Sequence, residues 1–327
     1  MSNKYRLLLP DMFSEAAWAL VRERSDVEAE SFPGNIAPEE LHKRLPGVHG
    51  IALGGTPFRA PEIAAAPQMK AVARIGVGYD AVDTVALSAR GIPLLTTDIA
   101  NSPSVAEQAL FFMLALAKRW RVLHDLVTEG RWPQRNDNLP GDLLGKTVLV
   151  IGAGRIGSRT VKRCVAMEMT VLVYDPYLPA ETIKALGATP ASDLDAAVSQ
   201  ADFVTIHCPK TADSVGLFDA KRIARMKPTA FLINTARGGI VDEAALYEAL
   251  VAKKIAGAGL DVFESEPPKR DNKLFQLDSV ITAPHVAGVT REAFDRMCVR
   301  SIRNILSVFD GNPDPLYVVN KDYAGKA

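Results

Sequence analysis

Short apolar runs alternate with segments of helical periodicity along most of this chain. In the first hundred residues, the runs with the length and composition of strands are Leu7–Leu9, Val27–Phe32, Gly50–Leu53, Ala71–Ile75 and Ile92–Leu95. The segments between them with helical spacing are Glu15–Arg24, Pro38–Leu45, Pro61–Ala65 and Thr84–Ala89. Strands separated by helices predict a parallel sheet that is covered on both faces.

The alternation resumes after residue 144 and predicts a second region of the same class. Its predicted strands are Val148–Ile151, Thr170–Tyr174, Phe203–Ile206, Ala230–Ile233, Ala258–Val262 and Val280–Thr282. The helices predicted in this region are Ser192–Val198, Ala220–Met226, Glu243–Lys253 and Arg291–Phe309. The chain is therefore predicted to be an α/β protein throughout.

A long helix connects the two regions. Ser102 is suited to cap it and Pro103 fits its first turn. Apolar residues recur at helical spacing as far as Leu116, so this helix is predicted to belong mainly to the core. Residues 130–138 break the pattern and predict an exposed excursion. The tail after residue 311 predicts a surface return, and no separate regulatory domain is expected after it.

Composition and charge exclude some classes of function. Of 327 residues, 48% are apolar and 23% are charged, which is typical of a soluble globular protein. Lys plus Arg and Asp plus Glu are both 38, so net charge gives no reason to expect nucleic acid or an anionic membrane as a partner. The longest apolar run, Ala109–Ala117, is about half of a membrane span, and the start of the chain does not resemble a signal peptide.

The cysteines point to a reducing compartment. Cys164, Cys208 and Cys298 are odd in number and lack the spacing of a zinc site, so reduced thiols are expected and no metal site is predicted. We therefore expect a cytoplasmic protein.

The feature around which the chemistry is organised is a glycine-rich turn after the strand that ends at Ile151. Gly152 permits a sharp turn, and Gly154 lacks a Cβ that would keep a pyrophosphate from the backbone. Gly157 lets a helix pack closely on the strand, with its N-terminal N–H groups available to phosphates. Asp175 follows the next predicted strand, 18 positions after Gly157, where a carboxylate meets ribose hydroxyls in dinucleotide sites. The alternatives are an unliganded glycine turn and, for Asp175, a strand-end turn before Pro176.

Three loops after later strands of the same predicted sheet carry residues suited to acid–base chemistry. Arg237 stands before a glycine pair, Glu266 lies in an acidic loop, and His285 follows the last predicted strand. An arginine can hold a carboxylate with two parallel hydrogen bonds, and a histidine can transfer a proton near neutral pH. Beside a dinucleotide, this set suits reversible hydride transfer to a keto acid. Each residue also has an ordinary explanation: a solvated charge, turn chemistry before Pro267, and a loop histidine.

Four motifs in this order resemble the D-isomer-specific 2-hydroxyacid dehydrogenase family, and the resemblance covers nearly the whole chain. The motifs span residues 150–157, 233–239, 261–267 and 284–288. Weaker matches are residues 76–80, 104–107 and 207–209. The resemblance implies two Rossmann-like, doubly wound parallel-sheet domains with an active-site cleft between them. Residues 1–100 plus 290–327 would form the substrate-binding domain, and residues 101–289 the NAD-binding domain.

The resemblance also implies a role for particular residues. Arg237 would bind the substrate carboxylate, His285 would exchange a proton with the carbonyl oxygen, and Glu266 would hydrogen-bond His285. Val77 and Gly78 would offer backbone N–H groups to the carboxylate, although a plain tight turn is the alternative there. Asp261 would orient the nicotinamide, and Asp175 would select NAD over NADP. The cofactor-binding set implied as a whole is Gly152, Gly154, Arg155, Ile156, Gly157, Asp175, Cys208, Pro209, Thr235, Ala236, Asp261, His285 and Gly288.

The substrate implied is less specific than the family. Relatives that act on phosphoglycerate place an arginine two or three residues before the position of Thr56, where this chain has Leu53 and Gly54. Arg59 lies close by and offers an alternative cation. We expect a small unphosphorylated 2-keto acid such as hydroxypyruvate or glyoxylate.

Other functions and the assembly stay open at this point. The alternatives are phosphoglycerate dehydrogenase, an NADH-sensing protein like the corepressors of this fold, and oxidation of formate or phosphite. A homodimer formed through the cofactor domain is expected. Trp132, in the exposed excursion, reaches a neighbouring subunit or simply packs on the surface.

Overall fold

The computed structural model describes residues 4–325 of the chain. The strands are β1 Tyr5–Pro10, β2 Val27–Phe32, β3 Gly50–Leu53, β4 Ala71–Arg74, β5 Leu94–Leu95, β6 Thr147–Ile151, β7 Thr170–Tyr174, β8 Thr189–Pro190, β9 Phe203–Ile206, β10 Phe231–Asn234, β11 Gly257–Leu260 and β12 Val280–Thr282. The helices are α1 Glu15–Arg22, α2 Pro38–Arg44, α3 Ala60–Ala65, α4 Thr84–Ala89, α5 Ser102–Ala117, α6 Trp120–Thr128, α7 Gly157–Ala166, α8 Ala180–Ala185, α9 Leu194–Gln200, α10 Ala220–Ile223, α11 Glu243–Val251 and α12 Arg291–Phe309. None of the helices in the described range is both long and apolar enough to cross a bilayer.

The chain forms two compact units. The first comprises the residues up to Asn101 and those from Gly288 onward, and the second is Ser102–Ala287. Each unit is built on one parallel sheet, with strand order β2-β1-β3-β4-β5 in the first and β12-β11-β10-β9-β6-β7-β8 in the second. The predicted α/β class with two parallel, doubly wound sheets is confirmed.

Each sheet has an apolar core on both faces. In the first unit, Met297, Ile302 and Ile305 of α12 pack with the strands on one face, while Leu41 and Ile63 close the other. In the second unit, α5 and α7 cover one face of the sheet, and α9 and α11 cover the other. This double coverage explains why a central strand such as β6 has a continuous apolar run.

In the second unit, the order of the strands reverses between β6 and β9. The chain moves outward from β6 to β7 and β8, and then returns to the other side of β6 with β9. In open parallel sheets, ligands bind beyond the carboxyl ends of the strands at such a reversal. The topology therefore selects the loops that follow β6, β9, β10 and β11 as the candidate site of this unit.

Several local predictions are wrong or incomplete. The connecting helix ends at Ala117 and a second helix, α6, begins at Trp120; Arg119 between them has a left-handed φ of 49°. Ser102 is the first helical residue and not a cap outside the helix. The elements α8 and β8 have no counterpart among the predicted elements. The residues at 132–138 form a 3-10 segment without a buried residue, as the exposed excursion requires.

The tail beyond α12 is more than a surface return. Val319 N–H donates to Leu94 O at 2.9 Å, and Val318 forms an antiparallel bridge with Leu95. Asn320 is buried: its Oδ1 accepts from Leu94 N at 2.7 Å, and its Nδ2 donates to Ile92 O at 2.9 Å. The tail thus forms hydrogen bonds with the backbone of β5, which is the edge strand of this sheet. Local sequence patterns could not predict this pairing, because the two segments are far apart along the chain.

Candidate active site

The glycine turn after β6 has a geometry that requires glycine at two positions. Gly152 has a φ of +82°, and a Cβ there would lie 3.0 Å from Cys208 N. A Cβ on Gly157, the first residue of α7, would lie 1.9 Å from Gly152 O. In contrast, apart from the adjoining residues, no protein atom of the described chain lies within 4 Å of the Cβ position of Gly154. The turn is tight against the protein on one side and leaves a cradle open at Gly154, which fits a phosphate-bearing cofactor.

Asp175 is part of the same turn. Its Oδ2 accepts a hydrogen bond from Ala153 N–H and its Oδ1 accepts one from Tyr177 N–H, both at 2.9 Å. The carboxylate therefore fixes the glycine turn to the end of β7. This contact agrees with the alternative interpretation of Asp175 as a residue of the strand-end turn before Pro176. Each carboxylate oxygen retains a second lone pair, so ribose recognition by Asp175 stays a prediction.

The residues after β9 lie against the glycine turn, on the side of β6 where the strand order reverses. Cys208 is half-buried beside Gly152, and burial raises the pKa of its thiol to about 11, so it is a neutral group at physiological pH. Pro209 follows it and is exposed. Arg155 is exposed in the glycine turn, and Ile156 directly precedes α7. The predicted cofactor residues of the first two loops thus lie around one turn.

The loop that carries Arg237 is held by the side chain of Asn234. The Asn234 Oδ1 accepts from Ala236 N–H at 3.0 Å, and its Nδ2 donates to Arg237 O at 2.9 Å. Arg237 is half-buried and its guanidinium donates to Ala236 O at 2.7 Å. A Cβ on Gly238 would lie only 1.7 Å from Phe263 O, so this loop is packed against the one that follows β11. The role of Asn234 was not predicted, because only the structure shows its two contacts.

His285 and Glu266 form a close pair. His285 Nδ1 lies 2.7 Å from Glu266 Oε2, and Glu266 Oε1 accepts from Phe263 N–H at 3.0 Å. An ionised carboxylate only accepts hydrogen bonds, so the network places a proton on Nδ1 and directs Nε2 away from Glu266. The histidine side chain is 47% exposed. This arrangement suits a histidine that exchanges a proton through Nε2 with a bound molecule.

Asp261 holds the backbone of the histidine loop. Its backbone oxygen accepts from His285 N–H at 2.7 Å, while Oδ1 and Oδ2 accept from Val286 and Ala287 N–H, each at 2.9 Å. Burial raises the pKa of the Asp261 carboxyl, against the lowering effect of these two hydrogen bonds. Asp261 is 1% exposed. The structure thus gives this residue a positioning role that the sequence did not predict, and contact with nicotinamide stays a prediction.

The remaining predicted residues lie in the first unit. Val77 and Gly78 follow β4, and neither backbone N–H has a hydrogen-bond partner within residues 4–325. The turn is anchored at Gly76, whose N–H donates to Thr97 Oγ1 at 3.1 Å. Gly288 begins the second segment of this unit.

Two buried polar atoms at the carboxyl-terminal edge of this sheet have no partner in the described part of the chain. They are His207 Nδ1, after β9, and Thr235 Oγ1, after β10. Buried polar atoms are nearly always paired, so unpaired ones at a predicted ligand site are consistent with a bound polar molecule. Together with the open cradle at Gly154, they show that the residues present fit a dinucleotide.

Comparison with known proteins defines the family. Residues 110–287 match the sequence profile described as D-isomer specific 2-hydroxyacid dehydrogenase, NAD binding domain. The chain is 39% identical to D-3-phosphoglycerate dehydrogenase of Archaeoglobus fulgidus, over 94% of this chain and 58% of that protein. It is 36% identical to hydroxypyruvate reductase of Thermotoga maritima, over 92% of this chain and 97% of that protein.

A solved structure agrees with these sequence matches. The glyoxylate reductase of Paecilomyes thermophila has a TM-score of 0.86 and 28% identity, and the match covers 98% of this chain and 99% of that chain. The chain belongs to the D-isomer-specific 2-hydroxyacid dehydrogenase family, and its cofactor is NAD. It spans little more than half the length of several curated relatives named D-3-phosphoglycerate dehydrogenase.

Proposed function

We propose that the chain is an NAD-dependent dehydrogenase that reduces a small 2-keto acid to the D-2-hydroxy acid and catalyses the reverse oxidation. The observation that carries this proposal is the pair of His285 and Glu266, 2.7 Å apart, on loops of the sheet that bears the glycine turn. Bound NADH supplies the hydride for this reaction. The protein must then supply a proton and a site for a carboxylate, and the described loops contain groups for both.

His285 is proposed to protonate the carbonyl oxygen through Nε2 during reduction and to remove that proton during oxidation. Glu266 keeps the ring oriented, because its Oε2 accepts from Nδ1 while its Oε1 is fixed by Phe263 N–H. Such positioned acid–base catalysis contributes about 10²–10⁴ to the rate. Arg237 is proposed to bind the substrate carboxylate, with its loop held by Asn234. The N–H groups of Val77 and Gly78 are proposed as further donors to that carboxylate.

The proposed substrate is unphosphorylated, with hydroxypyruvate or glyoxylate favoured. The chain has Leu53 and Gly54 at the positions where phosphate-binding relatives carry an arginine, and apart from the adjoining residues no described protein atom lies within 4 Å of the Cβ position of Gly54. Without a cation, a phosphate would lose a charge-assisted hydrogen bond. The hydroxypyruvate reductase of Thermotoga maritima, which this chain matches over 97% of its length, supports this substrate class. D-3-phosphoglycerate is the second candidate, because of the 39% identity to a dehydrogenase of that name.

The test is a comparison of substrates with the purified chain. We expect NADH oxidation with hydroxypyruvate or glyoxylate, and a much lower kcat/KM for NAD reduction with D-3-phosphoglycerate. The reverse preference would refute the proposed substrate while leaving the dehydrogenase activity in place. Tight NADH binding without turnover of any 2-keto acid would favour the NADH-sensing protein instead. Reduction of NAD by formate or phosphite would indicate the third alternative.

We also propose that the chain is a cytoplasmic homodimer. Trp120, Val127, Trp132, Leu139 and Leu144 of the second unit are each more than half exposed, although they are large apolar residues. Exposed large apolar side chains within one stretch of 25 residues, 120–144, support a surface that another protein covers. Three cysteines without a disulfide support a reducing compartment. Light scattering should give twice the chain mass of 35.3 kDa, and a monomer at micromolar concentration would contradict the dimer.

A further inference from the structure

Four residues form a row across the carboxyl edge of the second sheet. Each of them directly follows the last residue of a strand. They are Gly152 after β6, His207 after β9, Thr235 after β10 and Asp261 after β11. The last residues of these strands are paired in register, Ile151 with Ile206, Ile206 with Asn234, and Asn234 with Leu260. The four residues therefore lie one position beyond these paired strand ends, and neighbouring members of the row are adjacent to each other.

The row lies on the face of the sheet that α5 and α7 cover. Side chains alternate along a strand, so His207 shares the face of Phe203, and Thr235 shares that of Ile233. Both of these apolar residues belong to the core under α5 and α7. In agreement, the Cβ position of Gly157 at the start of α7 lies 3.5 Å from His207 Cβ. His207 and Thr235 are thus neighbours between the glycine turn and Asp261.

The hydrogen bonds of His207 indicate which ring nitrogen carries the proton. Its Nε2 lies 3.0 Å from Thr205 Oγ1, and Thr205 is completely buried. This hydroxyl has no other hydrogen-bond partner among the residues that the structure describes. Its hydrogen therefore needs the Nε2 lone pair as an acceptor, which leaves the ring proton on Nδ1. The unpaired Nδ1 is then a donor that lacks an acceptor.

We propose that His207 Nδ1–H donates a hydrogen bond to an oxygen of NAD between the pyrophosphate and the nicotinamide, beside Thr235, which the family resemblance already assigns to the cofactor. The position follows from the row, since the glycine turn is the pyrophosphate end and Asp261 the predicted nicotinamide end. Burial lowers the pKa of His207 to about 3, so the donor is neutral throughout the working range of pH. The inference rests on cofactor binding and not on the keto acid proposed above.

Substituting His207 with asparagine or glutamine distinguishes the contributions of its two ring nitrogens. In His207→Asn, the side-chain amide occupies the position of Nδ1 and loses the contact with Thr205. In His207→Gln, the amide reaches the position of Nε2 and keeps that contact, while the position of Nδ1 becomes apolar. Isothermal titration of the purified variants with NADH measures their affinity, and titration with ADP reports on the adenosine half alone.

We expect His207→Gln to bind NADH about tenfold more weakly than the parent, which corresponds to one lost neutral hydrogen bond. His207→Asn should stay within about threefold of the parent, although it is the less stable protein. ADP affinity should be unchanged in both variants. Parent-like NADH affinity in His207→Gln, or weaker binding by Asn than by Gln, would show a purely structural role. An equal loss for ADP would also overturn the proposed position.

A second measurement does not require the cofactor. The chain has five histidines, so selective ¹⁵N labelling of histidine gives a spectrum simple enough to assign by substitution. His207 should show the Nδ1–H tautomer in the free protein and should not titrate above pH 5. The Nε2–H tautomer would contradict the inference. Hydroxypyruvate turnover by the parent is a separate readout, so failure of the proposed substrate leaves this test intact.

Discussion

His285 combines an unusual backbone conformation with the position proposed for acid–base chemistry. Its φ of 54° lies in the left-handed region, which histidine adopts at a cost of about 1–3 kcal/mol. Three hydrogen bonds from residues 285–287 to Asp261 hold this conformation. The backbone thus presents the ring to Glu266, and we infer that Asp261 acts on catalysis through the histidine loop.

Substitution of Asp261 tests that inference. In Asp261→Asn, an amide NH₂ would face either Val286 N–H or Ala287 N–H, so one hydrogen bond is lost and two donors oppose each other. We expect a loss of about 1–3 kcal/mol in stability and a fall in kcat with hydroxypyruvate. Thermal unfolding and steady-state kinetics measure these effects. A fully active variant would show that the loop keeps its conformation without the carboxylate.

Substitution of His285 tests the proposed chemistry directly. His285→Ala removes the imidazole that Glu266 orients, and kcat for the keto acid should fall by at least about 100-fold. The dissociation constant for NADH should change by no more than a few-fold, because the glycine turn is untouched. Stopped-flow measurement of NADH oxidation, with separate NADH titration, distinguishes the two effects. Retained turnover would exclude His285 as the proton donor.

At this scale, the sequence predicts which residues carry chemistry but not how they are held. Arg237, Glu266 and His285 were recognisable because they follow apolar strands and match motifs of the family. Asn234 and Asp261 hold the loops through contacts with backbone groups, which residue type alone does not indicate. His207 was part of a weak motif, and its unpaired nitrogen became visible only through the register of four strands.

The glycine turn shows how one element serves both folding and binding. Gly157 is needed for the fold, since its Cβ would lie 1.9 Å from Gly152 O, while the space at Gly154 is open. Gly157→Ala should therefore destabilise the protein by about 1–3 kcal/mol or prevent folding. Gly154→Ala should fold normally and bind NADH more weakly, because the methyl group enters the cradle.

Circular dichroism and NADH titration of the two variants measure this contrast. The pair is closely matched, because the same change is made three residues apart in one turn. Equal stability of both variants would mean that the turn relaxes around Gly157. Unchanged NADH affinity in Gly154→Ala would remove Gly154 from the cofactor site.

Elements were predictable where local pattern and burial agree. The strands β2, β3, β7, β9 and β12 and the helices α4 and α12 have the predicted bounds. Fully buried strands such as β3 and β9 and an amphipathic helix such as α12 leave clear patterns. The break at Arg119 depends on one left-handed residue, and no glycine marks it. The tail pairs with β5 across more than 200 positions of sequence. Such features are set by tertiary contacts, which local patterns do not contain.

At the scale of the whole molecule, the two units have different relations to the sequence motifs. The second unit carries the NAD-binding profile and the three proposed catalytic side chains. The first unit carries Val77, Gly78 and the loop of Gly54 and Gly55, where the substrate is expected to be distinguished. Motifs shared by a family report its common cofactor, so NAD was predictable and is confirmed. Specificity for the keto acid is expected to depend on the first unit, whose sequence motifs are less distinctive.

The stability of the whole molecule should depend on pH through His207. Burial lowers the pKa of this histidine to about 3 in the folded protein, while an unfolded histidine has a pKa of about 6.5. Below pH 6.5 the unfolded chain therefore takes up a proton that the folded chain does not, and stability falls as the pH decreases. Between pH 7 and pH 5 the loss attributable to His207 is about 2 kcal/mol.

His207→Gln isolates this contribution, because glutamine does not titrate and the other ionisable groups are the same in both proteins. Asp202 and Glu62, whose pKa values are lowered chiefly by hydrogen bonds that oppose burial, also lose stabilisation in acid, but they do so equally in parent and variant. Urea unfolding at pH 7 and pH 5 should thus show a smaller loss of stability in the variant. An equal loss in both proteins would mean that His207 is protonated in the folded state, and a neutral donor at the cofactor site would then be untenable.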